Sequence, residues 1–305
     1  MAEMTHDNKI KEESKQTSVG PWQLAWERFK KNKVAIAGAI LFTIIVIFVL
    51  VYPLISQYAL SEFALDAKNQ APSSDHLLGT DEQGRDILLR LALGGRISIL
   101  VGLLAAGVTV VLGSIVGGIA GFYGGWIDNF LMRFAEIVYS IPFYPTVISI
   151  SAAMMFRATA TNKILVVMFI IGILSWPGLA RIVRGQILSL REQEFMLATE
   201  ALGLSDVSRI IRHLIPNVLP YIIVNATLSM AGAILTEASL SFIGLGVAPP
   251  TPTWGNMVER ARNAQVFNNY HWMWIPPGLM IMLTVVSINL LGEGLRDALD
   301  PKGSR

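Results

Sequence analysis

RIVRGQILSLREQEFMLATEALGLSDVSRIIRHLIPNVLP, residues 181–220, interrupts a chain that is strongly apolar on either side of it. It carries five arginines, a glycine-serine-aspartate turn at 203–206, and amphipathic helical patterning before and after that turn. The segment is too charged to enter hydrocarbon and too regular for an unstructured loop. Gly203 suits the left-handed residue that ends a helix, and Ser205 or Asp206 suits the cap of the next one. Pro216 is expected to delimit the projection before the following apolar block. The expectation is a rigid knob of two short helices at the bilayer surface, a shape made to be gripped from the cytoplasm.

Working outward, six blocks lack charge: 34–55, 97–127, 137–156, 164–180, 217–236 and, with His271 neutral, 271–292. A helix that crosses the hydrocarbon core needs about 20 apolar residues. The chain is 53% hydrophobic, against roughly 45–50% for a soluble domain. This predicts an all-α membrane protein with six transmembrane helices. If both termini and the 181–216 segment are cytoplasmic, two-thirds of the 24 Lys and Arg residues lie on that side, as the positive-inside bias requires. The expected location is the cell (plasma) membrane, multi-pass, both termini cytoplasmic.

Several chemistries are excluded. With no cysteine, disulfides and thiolate metal sites are impossible. No glycine-rich phosphate loop ending in Gly-Lys-Ser/Thr occurs, so no site for ATP hydrolysis is expected in this chain. His6, His76, His213 and His271 are scattered. No catalytic residue, cofactor or metal site is therefore assigned. The basic residues follow membrane topology, which excludes nucleic acid as a partner. The polar stretch of over thirty residues before the first block is too long for a signal peptide's n-region.

Residues 1–20 are polar and expected to be a disordered cytoplasmic tail. In 21–33, Trp22, Trp26 and Phe29 fall on one helical face with basic residues opposite, the pattern of an interfacial helix in contact with membrane lipid. In the loop after the first span, Thr80 or Asp81 can cap a helix leading to the second span, with Arg85 and Asp86 making local helix-end contacts. Gly113, Gly117, Gly121 and Gly125 recur every four residues, a ridge for close helix approach. The spacing fits packing within the same bundle or against a second subunit equally well.

The fifth block carries the candidate solute path. Asn225, Ser229, Gly232, Thr236 and Ser239 repeat at spacings of 4, 3, 4 and 3 along one stripe, with Glu237 about 100° around from Thr236. Eight strongly apolar residues in 217–236 favour insertion by roughly 2.4–4.8 kcal/mol, against roughly 2.5–3.5 kcal/mol for a central carboxylate. Such a helix needs protein neighbours or a watery path for its polar face. An intramembrane acid is a functional candidate by default, which leaves open a proton-coupled secondary carrier using Glu237. Residues 248–271, with three prolines and Trp254, are expected to form an ordered outer loop that can cover a pathway mouth.

The 181–216 segment resembles the cytoplasmic loop of permeases in ATP-binding-cassette importers, E-A-A, three residues, Gly, nine residues, I-x-L-P. Ala198, Gly203 and Pro216 match it. Leu197 and Thr199 depart from it, His213 stands at the isoleucine place, and Glu194 and Glu200 are the nearby acids. HLLGTDEQGRD at 76–86, YGGWID at 123–128, TEASLSFIGLGV at 236–247 and GLRDALDP at 294–301 are similar to the second permease subunit of dipeptide and oligopeptide importers. The resemblance implies a type I importer permease fold over 34–305 with a coupling helix in the loop 181–216. There Glu194, Ala198, Gly203 and Pro216 meet an ATPase. It also implies a homologous second permease subunit, two cytoplasmic ATP-binding subunits that hydrolyse ATP, and an extracytoplasmic peptide-binding protein. On this reading Asn225, Ser229, Gly232, Thr236 and Glu237 are the candidate lining of a path for di- or oligopeptides, while a stripe of small residues suits packing against another helix equally well. Importers of nickel or glutathione share these motifs and stay open as alternatives.

Overall fold

The computed structural model describes residues 21–60, 64–154, 160–247 and 250–299. The tail 1–20, expected to be disordered, lies outside the described residues. Among those described, all regular structure is helical apart from an isolated bridge between Thr80 and Asp86.

Local capping chemistry sets most of the boundaries. Helix α1 (Pro21–Lys31) stops at Asn32, whose Oδ1 accepts from the N–H groups of Val34 and Ala35 at 3.1 Å and so starts α2 (Lys33–Ile55). The cap of α3 (Ile87–Tyr123) is Asp86, accepting from Leu89 N at 2.8 Å, and not Thr80 or Asp81. Gly124, at φ 65°, separates α3 from α4 (Gly125–Ser140). Ile141 is then extended, as expected of a residue before proline, and α5 (Phe143–Met154) begins after Pro142. Next come α6 (Ala160–Arg191), α7 (Glu194–Ala201) and α8 (Asp206–Phe242). The outer segment holds α9 (Trp254–Val258) and α10 (Ala264–Asn269), and α11 (Ile275–Leu299) closes the described chain.

Among the described residues, five helices are long and apolar enough to cross a membrane: α2, α3, α6, α8 and the stretch His271–Leu299 that contains α11. The third uncharged block differs from expectation. Ile141 and Pro142 divide the sequence 137–156 between α4 and α5. The 12 described residues of α5 extend about 18 Å at 1.5 Å per residue, against a roughly 30 Å hydrocarbon core.

The most extensive helix packing is that of α3 with α6, and three glycines of the expected ridge make it possible. A Cβ on Gly117 would stand 2.4 Å from Ala180 O, and one on Gly121 would stand 2.9 Å from Arg184 O. At Gly113 it would press on Leu179 at 2.8 Å. The ridge therefore packs within the chain. Gly125 takes no part: it opens α4 at φ 54° with nothing near it. Apolar clusters sit at both ends of the bundle. Val183, Ile187, Met196, Leu214 and Val218 pack beneath the knob, and Val49, Leu91, Trp254 and Met257 pack at the opposite end. Ile40, Ile44, Ile47 and Leu54 on α2 and Trp126 and Phe130 on α4 point outward, as helices in lipid do.

Candidate functional site

The knob is built by one helix ending. At the end of α7, Leu204 N–H donates to Thr199 O at 3.1 Å and Gly203 N–H donates to Glu200 O at 2.9 Å, with Gly203 at φ 69°. This pair of bonds around a left-handed glycine is the Schellman ending, which satisfies carbonyls the helix would otherwise leave bare. Ser205 Oγ then caps the next helix, accepting from Ser208 N.

The second half of the knob differs from expectation. No break separates it from the fifth span: α8 runs from Asp206 to Phe242, with a π-turn at Arg209–Leu214. Ile215 N–H bonds to Ile210 O, five residues back. The wider turn accommodates Pro216, which lacks an N–H and in a tight α-turn would press on the carbonyl four residues earlier. Pro216 therefore marks the base of the knob without ending the helix, and the knob and the span form one rod.

Glu194, Ala198 and Gly203 are exposed on the knob, and Pro216 is exposed at its base. Met196 and Thr199, on the other face of α7, are buried. Beside the first three stand Leu197, Leu202 (78% exposed), Val207 and Ile211, an apolar surface with no cover in this chain. An uncovered patch of this kind marks a protein contact. Glu200 is engaged within the knob: its Oε2 accepts from Arg209 Nη2 at 3.0 Å. Arg209 also reaches Asp206 at 3.5 Å and lies 5.2 Å from the centre of the Phe122 ring at the end of α3. Arg191 donates to the Gly121 and Phe122 carbonyls, and Arg184 pairs with Asp128 through two bonds of 2.5 Å. The knob is thus braced against the ends of α3 and α4. Sequence reasoning missed Arg209 as a brace, since Phe122 is distant in the chain.

The rod leads to a cavity of about 180 Å³ inside the bundle. Ser229, Gly232 and Thr236 of α8 line it, opposite Thr109 of α3, Phe143 of α5 and Ser175 of α6. Thr109, Ser175 and Thr236 donate their hydroxyl protons to carbonyls of their own helices at 2.7–3.0 Å. They therefore present oxygen lone pairs and methyl or methylene surface to the cavity. Among the described residues, no charged side chain lines it. Asn225, whose Nδ2 donates to Tyr221 O, is not among its walls.

Glu237 is placed elsewhere. It is 0% exposed and accepts from Ser241 Oγ at 2.7 Å and Ser98 Oγ at 3.4 Å. The same Ser98 oxygen accepts from Trp254 N at 3.1 Å. Trp254 is itself fully buried, with its indole N–H on Leu91 O, and Thr253 and Asn256 cap α9 reciprocally. The acid thus ties α8 and α3 to the outer segment and does not face the cavity. No group of three His, Asp or Glu residues able to hold a metal occurs among the described residues.

Comparison with known proteins identifies the family. Residues 110–305 match the family described as the binding-protein-dependent transport system inner membrane component. Residues 20–72 match the N-terminal transmembrane domain of oligopeptide transport permease C. The chain is 38% identical over 295 residues to the dipeptide transport system permease protein DppC of Bacillus subtilis, covering 97% of this chain and 90% of that protein. It is 41% identical over 283 residues to the oligopeptide transport system permease protein OppC of Haemophilus influenzae, covering 92% and 88%. With OppC of Bacillus subtilis the identity is 39% over 285 residues, covering 93% and 91%. The chain belongs to the family of binding-protein-dependent transport system inner membrane components, alongside dipeptide and oligopeptide permeases.

Proposed function

We propose that this chain is one of two permease subunits of an ATP-driven importer of di- or oligopeptides, and that its knob couples the path to a cytoplasmic ATPase. The observation that carries the reading is mechanical. A single helix, α8, joins the exposed apolar knob to the residues that line the cavity. Displacement of the knob by a closing ATPase pair is delivered along that helix to Ser229, Gly232 and Thr236. Glu194, Ala198 and Gly203 form the contact, aided by Leu197, Leu202, Val207 and Ile211.

Size supports a shared path. Pockets for small ligands run from about 300 to 1,000 Å³, and the cavity here is about 180 Å³. A second, homologous permease would supply the other wall. The face it would meet is already laid out on α8, where Tyr221, Leu228, Leu235 and Phe242 are exposed at seven-residue intervals. Asn225, Gly232 and Ser239 lie between them, which gives the 3.5-residue period of a helix–helix seam. The uncharged, hydroxyl-bearing wall suits a peptide backbone and is indifferent to side-chain charge. Selectivity would then rest with the extracytoplasmic binding protein. Two conformations of the path are biased by ATP on the partners, since a ligand moves an equilibrium only through different affinities for its two states. The α1 helix lies on lipid at the cytoplasmic surface.

The test is reconstitution of this chain with its permease partner, two ATPases and the binding protein in sealed vesicles. Uptake of labelled peptide that requires ATP and survives collapse of the proton gradient supports the reading. Uptake that follows the gradient without ATP refutes it.

A further inference from the structure

A buried guanidinium stands near the start of α3, at the end of the bundle opposite the knob. Arg90 is 6% exposed. The carboxylates around it are already engaged. Asp81 Oδ2 accepts from Arg85 Nε at 2.8 Å and pairs with Arg85 Nη2 at 2.7 Å, while Asp81 Oδ1 accepts from the N–H groups of Gln83 and Arg85. Arg90 Nε reaches that same Oδ2 only at 3.5 Å. Burial pushes the Asp81 carboxyl up, but the Arg85 bonds and the Arg90 charge outweigh it and hold it below its ordinary value. Asp86 is taken by Leu89 N and by His76 Nδ1, and Glu82 pairs with Arg260 at 2.7 Å.

Arg90 Nη1 is left sealed from solvent with no hydrogen-bond partner among the described residues. Buried donors are normally satisfied, and a charged one without a partner is the costliest kind to leave bare. Arg90 also lines a small cavity of about 20 Å³, walled by Asp81, Ile87, Met257, Arg260 and Met273. That volume admits one water-sized species. The walls distinguish between a water and an anion. A water needs acceptors for its own protons, and the carboxylate here is already occupied by Arg85. An anion needs donors and positive charge: Arg90 Nη1 supplies an unused donor, and Arg260, although paired with Glu82, adds a second guanidinium to a wall that also holds the Asp81 carboxylate.

We propose that this cavity is a halide site, in which one chloride ion accepts from Arg90 Nη1 and faces Arg260. The ion joins the start of α3 to the outer segment between α9 and the His271–Met273 turn, so it holds that segment onto the bundle. The test compares thermal unfolding of the assembled complex in chloride and in gluconate of equal ionic strength. Chloride raises the midpoint by a few degrees, with the stabilisation rising logarithmically once the site is half filled, and Arg90→Met abolishes the difference. A midpoint that is the same in both salts overturns the proposal, as does a chloride effect that persists in Arg90→Met. Bromide exchange into crystals of the unaltered complex needs no variant. An anomalous peak between Arg90 and Arg260 supports the site, and its absence at full exchange refutes it.

Discussion

Replacing Gly203 by alanine tests whether the shape of the knob matters apart from its contacts. A Cβ at this position would meet nothing within 4 Å, so the substitution introduces no clash. The whole effect is conformational. The residue sits at φ 69° and holds the two bonds that close the end of α7. An L-residue in that left-handed region costs roughly 1–2 kcal/mol, which shifts the balance from the closed turn to an opened one by about five- to thirtyfold. Asparagine tolerates the same conformation at lower cost, and a β-branched side chain tolerates it least. The expected order of peptide-stimulated ATP turnover in vesicles is Gly, Asn, Ala, Val, with assembly unchanged by size-exclusion chromatography. The alanine variant should lose severalfold in coupling while its unstimulated turnover persists. Equal stimulation in all four proteins would refute the idea that a fixed turn transmits force.

Three further outcomes follow from the packing. Gly117→Ala should lower the thermal midpoint or prevent assembly, since its Cβ would stand 2.4 Å from Ala180 O, whereas Gly107→Ala on the same helix, with open space around it, should be neutral. Ser229→Trp should fill the cavity of about 180 Å³ and block peptide uptake in an assembled complex, and normal uptake would remove Ser229 from the path. Glu237→Gln keeps an accepting oxygen for Ser241 and replaces the other oxygen with an NH2 that can donate to the Ser98 hydroxyl oxygen, and it should retain ATP-driven uptake. Glu237→Ala leaves those hydroxyls without their partner and should cost about 1–3 kcal/mol of stability. Loss of transport in the glutamine variant at unchanged stability would revive a proton-relay role.

How much of this was legible in the sequence depended on the range of the interactions. The Gly203 turn and the Ser205 cap rest on neighbours within five residues, so residue types alone expressed them. Five of the six apolar blocks became long helices for the same reason. The third was divided, because absence of charge says nothing about Pro142, which breaks the helix by restricting Ile141. Pro216 misled in the opposite direction: proline was read as a terminator, but a π-turn absorbs it. The glycine ridge announced a close approach without naming α6. Glu237 lay beside the polar stripe on a helical wheel, yet its partner Ser98 is 139 residues away in the chain, beyond the reach of local patterning. Thr109 and Ser175 gave no signal, since isolated hydroxyl residues in apolar helices are ordinary.

The central claim, that the knob docks on an ATPase, is tested most directly by cross-linking. The chain has no cysteine, so Leu202→Cys on the knob and Leu54→Cys, at the end of α2 on the opposite side of the bundle, each carry a single thiol. Both side chains are highly exposed. A short photo-reactive label on each, in native membranes, is followed by mass spectrometry of the adducts. The account predicts that the label at 202 captures an ATP-binding subunit, with a yield that changes when ATP is added, and that the label at 54 does not. Capture of the ATPase from 54, or an unaltered, ATPase-free pattern at 202 in a transport-competent complex, would contradict it.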